Sequence, residues 1–111
     1  MAFPFDQVDV SRVYRAAISV NGSGANTVIA AQSGKQIRVL AYTLIAAGAV
    51  DATWKSASTS ISGAMSLAAN GGIAQPMVEV GCLQTVAGEL LGLTLGGAVQ
   101  VSGYIVYQIV G

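Results

Sequence analysis

A chain without histidine has few ways to move a proton near neutral pH, and this one has none among its 111 residues. Ser-His-Asp and Cys-His nucleophile systems are therefore ruled out, as are metal sites built on imidazole. The carboxylates are Asp6, Asp9, Asp51, Glu79 and Glu89. A glycosidase would need two of them facing each other across a sugar ring, and no sequence feature supports such a pair. Asp6 and Asp9 stand three residues apart and could share a calcium ion, although two such carboxylates are more often simply solvated. The single cysteine, Cys82, sits between Gly81 and Leu83 and reads as a small buried hydrophobe rather than a nucleophile. Gly22-Ser23-Gly24 and Gly96-Gly97 lack the following Lys-Ser/Thr or helix that a phosphate loop requires, so they read as turns. No catalytic residue, cofactor or metal is expected.

Binding chemistry is better represented. Trp54, Tyr42, Tyr104 and Tyr107 are the residues from which a sugar-stacking platform could be built. On alternating strands such aromatics more often fill a core or a subunit interface. Lys35, Arg38 and Lys55 read as solvated edge charges. Arg12 and Arg15 flank the junction between the first residues and the rest of the chain, where guanidinium groups could pair with acids on a partner. Phe3 and Phe5, separated by Pro4, have little local chain to pack on and are the kind of side chain that anchors an interface. Phe3, Phe5, Arg12 and Arg15 are thus the candidate partner contacts. Ten extended residues reach about 33–36 Å, enough to cross onto a neighbour.

The elements that would position these residues are short and alternating. Tyr14 to Val20, Thr27 to Ala31, Ile37 to Ala46 and Val50 to Ser56 are separated by Asn-Gly-Ser, Gln-Ser-Gly and Gly48. Val50, Ala52 and Trp54 share one face of the fourth. Ile61 to Leu67 and Ile73 to Val80 follow, with Pro76 marking the latter as an edge or a bulge. Cys82 to Val86 reads as a short strand or loop. Leu90 to Leu95 and Val99 to Val110 close the chain. About eight strands at spacings of roughly 8–14 residues predict an all-β, single-domain, jelly-roll-like antiparallel sandwich over residues 12–111. Residues 1–11 are expected to form an extended N-terminal arm.

Composition limits the setting. Hydrophobic residues make up 53% and charged residues 9%. A folded monomer of this mass has about 5,700 Å² of surface, which leaves roughly 570 Å² for each of ten charges. No apolar run approaches the roughly 20 residues of a spanning helix. The sequence opens without a basic segment leading into an apolar one, so no signal peptide is expected. Five basic and five acidic residues cancel, leaving no electrostatic footprint for nucleic acid or a membrane. Burial of surface against other subunits is the expectation that remains.

Three segments carry a family resemblance: Gly34-Lys35-Gln36-Ile37-Arg38-Val39-Leu40, Leu67-Ala68-Ala69-Asn70-Gly71-Gly72, and Ala87-Gly88-Glu89-Leu90 onward through Val101-Ser102-Gly103-Tyr104. Over residues 34–107 the chain resembles small structural proteins of tailed bacteriophages, and among them the jelly-roll capsid decoration, or cement, proteins. The resemblance implies a non-enzymatic homotrimer in the virion, assembled in the host cytoplasm. Its partner would be the major capsid protein, held from the outside of the head. Related jelly rolls also serve in tail and head fibres, so a carbohydrate- or receptor-binding module is the alternative implied.

Overall fold

The computed structural model describes residues 13–111. The chain forms β1 (Val13–Val20), β2 (Gly24–Ile29), β3 (Gln36–Ala46), β4 (Val50–Ser56) and β5 (Thr59–Ser60). These are followed by β6 (Met65–Leu67), β7 (Gly72–Gln75), β8 (Leu83–Gln84), β9 (Leu91–Leu95) and β10 (Val101–Val110). One sheet runs β1-β10-β3-β7, with β8 also on β3; the other runs β2-β9-β4-β5, with β6 also on β4. Every pairing is antiparallel.

Each sheet thus has one edge in two pieces, β7 with β8 and β5 with β6. Counting each broken edge once leaves eight positions, and the chain crosses between the sheets, with β4 to β6 staying in one, in the order of two interlocked Greek keys. That is the jelly-roll arrangement expected from the strand spacing. Ten strands appear where about eight were expected because the edges break at identifiable residues. The segment from Ile61 keeps only Met65–Leu67 as ladder, since Ser62, Gly63 and Ala64 leave it. The next segment stops at Gln75, immediately before Pro76, whose ring nitrogen has no hydrogen to give.

The core lies between the sheets and is read directly from the period of two. Val50, Ala52 and Trp54 from β4 meet Leu91, Leu93 and Leu95 from β9 on one side. Ile37, Leu44, Val101 and Ile105 supply the other side. Trp54 is fully buried and meets the edge of Tyr42 at 5.1 Å between ring centroids, inclined by 65°. Filling that central volume takes the largest side chain available, and burying such side chains is what holds the layers together.

Two features interrupt the regular ladder. Val106 pairs with Ala41 but Tyr107 pairs with Val39, so Leu40 has no residue opposite it. This bulge lets Val39 and Leu40 both be buried in succession. It also frees carbonyls that pin the loop between β7 and β8. Val78 N donates to Leu40 O at 2.9 Å and Cys82 N donates to Val39 O at 2.8 Å. The second feature is a polar tie between sheets. Ser56, fully buried, donates through Oγ to Glu89 Oε1 at 2.6 Å and accepts from Val86 N at 2.9 Å. Beside it, buried Thr85 accepts from Ile37 N through Oγ1 at 2.9 Å and donates its own N–H to Ile37 O at 3.0 Å.

Candidate functional site

The residues with chemical potential are scattered rather than assembled. Asp51 is exposed on the outside of β4 and accepts from Ser66 Oγ at 2.9 Å. Glu89 is bound to Ser56, at the other end of the same strand. Five residues of strand separate the two, or about 17 Å, well beyond the spacing of a glycosidase pair. Glu79 lies on a loop attached to the other sheet. Among the described residues no three of His, Cys, Asp and Glu stand close enough to hold a metal. Asp6 and Asp9 fall outside those residues. Cys82 is half-buried and donates through Sγ to Val39 O at 3.3 Å, and burial pushes its thiol above the ordinary range.

The four aromatics considered for stacking do not form one platform. Trp54 and Tyr42 are core residues, at 0% and 7% exposure. Their position follows from β4 and β3 facing inward at even-numbered residues over that stretch. Tyr107 stacks on Tyr14 at 5.5 Å, inclined by 27°, on the inward phase of β1 and β10. Tyr104 points the other way and is 52% exposed.

What the structure does assemble is the outer face of the first sheet. Arg15, Ala17 and Ser19 of β1 lie opposite Val106, Tyr104 and Ser102 of β10. These in turn lie opposite Ala41, Thr43 and Ile45 of β3. Met77, from the loop pinned at the Leu40 bulge, completes the face. Tyr104, Ile45 and Met77 are all more than half exposed. An open cleft of about 680 Å³ lies beside Tyr104 and Met77, its described lining also including Val13, Arg15, Ala17 and Val106.

Polar side chains border this face at both ends. At one end Gln100 Nε2 donates to Ser19 Oγ at 3.0 Å and to Ser102 Oγ at 3.1 Å. At the other end Arg38 Nε donates to Gln84 Oε1 at 3.1 Å, and Gln84 Nε2 donates to Gln36 Oε1 at 2.9 Å. An apolar centre inside a polar rim is the anatomy of a protein-binding surface. The outer face of the second sheet differs in kind. It presents Ala25, Thr27, Thr94, Thr53, Asp51 and Lys55, and none of the large exposed apolar side chains lies on it.

Of the candidate contacts, Arg15 is exposed on β1 and lines the cleft. Phe3, Phe5 and Arg12 lie outside the described residues. Met77 and Ile45 were missed by sequence reasoning. Ile45 sits within the longest apolar run and looks like core until the bulge fixes its phase, and Met77 has no periodicity to reveal it. Among the described residues no helix is long and apolar enough to cross a membrane. No family model matches the sequence, and no curated protein or solved structure matches it either.

Proposed function

We propose that this chain is a structural subunit of a bacteriophage virion that self-associates and decorates the outside of the head. The observation that carries the reading is the inequality of the two outer faces. One presents Tyr104, Ile45 and Met77 within a polar border, while the other is covered with threonine and charge. A protein with ten charged side chains and one apolar sheet face gains by covering that face. The resemblance of residues 34–107 to decoration proteins supplies the partner, the major capsid protein, and the homotrimer. The role is mechanical and not enzymatic.

In this reading the subunits close into a ring, since a closed symmetry leaves no sticky surface behind. A stable contact buries about 800 Å² on each partner, on the scale of one sheet face. The ring then grips several capsid subunits at once, so modest individual contacts act together as avidity. Assembly takes place in the host cytoplasm and the working location is the virion.

Molar mass in solution followed by co-sedimentation with empty capsids tests the reading. The wild type is expected to be oligomeric and to pellet with capsids, and Tyr104→Asp to lose self-association. A wild-type monomer that stays in the supernatant would reject it. For the alternative, a carbohydrate-binding module, Tyr104 is the exposed aromatic to test, by glycan array with Tyr104→Ala.

A further inference from the structure

Asn-Gly occurs twice in the chain, at Asn21-Gly22 and at Asn70-Gly71, and the third asparagine, Asn26, precedes Thr27. The pairing has a chemistry of its own. The backbone nitrogen of the residue after an asparagine can attack the side-chain amide carbon, and glycine, with no Cβ, leaves that approach open. The attacking nitrogen must first lose its proton. An amide that is hydrogen bonded in the folded chain gives up its proton only when the structure opens locally.

The fold treats the two steps differently. Asn70-Gly71 is clamped against the end of β3. Asn70 N donates to Ala46 O at 2.8 Å, Ala46 N donates to Gly71 O at 2.9 Å, and Gly71 N donates to Ala68 O at 2.8 Å. The nitrogen that would attack is thus engaged, and the backbone on both sides of it is held. Asn21-Gly22 lies between β1 and β2, in the connection that crosses from one sheet to the other. Asn21 is exposed, and among the described residues Gly22 N has no hydrogen-bond acceptor. The Gly22 carbonyl accepts from Asn26 Nδ2 at 2.8 Å, a contact that does not involve its N–H. Asn26 itself is occupied. Its amide nitrogen also donates to Gly24 O at 3.2 Å and Leu93 O at 3.3 Å, and Thr27 after it is paired with Gly92 in the ladder.

We propose that Asn21 is a site of spontaneous modification in the folded protein, and that the fold protects Asn70 from the same reaction. Deprotonated Gly22 N forms a bond to Asn21 Cγ, the bond from Cγ to the side-chain nitrogen breaks, and that nitrogen leaves as ammonia after taking a proton from water. The cyclic imide that remains adds water and opens at either carbonyl, to aspartate or to isoaspartate. The net change is one water consumed and one ammonia released, with no oxidant, metal or enzyme required. Either product puts a carboxylate where an amide stood, so a chain of zero formal net charge gains one negative charge. Isoaspartate also routes the main chain through the side-chain carbon, lengthening the connection between the sheets by one methylene.

Peptide mapping by mass spectrometry, with fragmentation to the residue, tests this on wild-type protein held in mildly alkaline buffer, beside a sample in concentrated urea. In the folded sample conversion at Asn21 should run at least about tenfold ahead of Asn70, and in urea the two should agree within about twofold, because no structure then surrounds either step. Asn21→Ser should abolish the acidic species that anion exchange resolves, and Asn70→Ser should leave it in place. Folded protein in which Asn70 converts as fast as Asn21, or in which Asn21 converts no faster than Asn26, overturns the proposal. So does an acidic species that persists in Asn21→Ser. A gap between Asn21 and Asn70 that is equally wide in urea removes the role assigned to the fold.

Discussion

Gly103 lies in the middle of β10, between Ile18 of β1 and Leu44 of β3. A methyl group there has nowhere to go. A Cβ built on its backbone, at φ +156°, would stand 1.8 Å from Thr43 O, 2.7 Å from the Thr43 carbonyl carbon and 3.3 Å from Leu44 Cα. The obstacle is main chain in the centre of a sheet, so no side chain can swing away to relieve it. The strands must part by about 1.6 Å to restore contact distance. Overpacking of this kind costs about 1–3 kcal/mol, and each ladder hydrogen bond stretched or lost adds about 1 kcal/mol. For Gly103→Ala we expect a loss of about 3 kcal/mol, equivalent to a fall in Tm of about 12 °C or more for a domain of this size. Urea unfolding at fixed protein concentration measures it. Gly97→Ala is the control, because a Cβ there meets nothing within 4 Å, and it should stay within about 0.5 kcal/mol of wild type. If Gly103→Ala also falls within about 1 kcal/mol of wild type, the close approach of β10 to β3 is not the constraint described here.

Three further outcomes follow from the core and its ties. Trp54→Ala empties the largest buried side chain and should cost about 3–5 kcal/mol by urea midpoint; a loss below about 1 kcal/mol would mean that the indole is not central. Ser56→Ala leaves Val86 N without its acceptor and Glu89 without its donor, for an expected cost of about 1–3 kcal/mol; an unchanged midpoint would show that water replaces both. The Cys82 thiol, raised by burial above its ordinary 9.0, is held protonated more strongly in the folded state than in the unfolded one. Its contribution is therefore complete below about pH 9 and declines as pH rises through the raised value. The stability of wild type relative to Cys82→Ala should narrow as pH rises above about 9, and a difference that widens would reverse the sign.

The strand plan was legible because residues alternate where both sheets need them to. Val50 to Ser56 is recovered with its bounds intact, and the odd positions of the last strand, Val101 and Ile105 among them, face the core as the pattern implies. The broken edges were harder to read. β5, β6 and β8 are two or three residues long, too short for any period to register. The Leu40 bulge was invisible for a related reason. Val39-Leu40-Ala41 is apolar throughout, so nothing in the residue types marks where the phase shifts. That shift decides that Ile45 faces out and Tyr42 faces in. The outer-face cleft depends on it, and on a loop anchored to backbone carbonyls, which side-chain chemistry does not record. Trp54 shows the opposite case, since its place on one face with Val50 and Ala52 already argued for a core against a sugar platform.

The pairing of β1 with β10 has a consequence for how the protein is made. Among the described strands, β1 finds its ladder partner only in β10. Nothing emerging early from a ribosome can complete that sheet, whereas the hairpin of β4 with β5 can form as soon as it appears. Closure must wait until β10 has emerged, and the loop between the paired strands runs from Val20 to Val101, which makes it slow. Until that moment β1 is an unsatisfied strand with apolar neighbours, the state in which aggregation competes with folding. Yield from the cell should therefore respond to temperature and synthesis rate more than the stability of the finished sandwich would suggest.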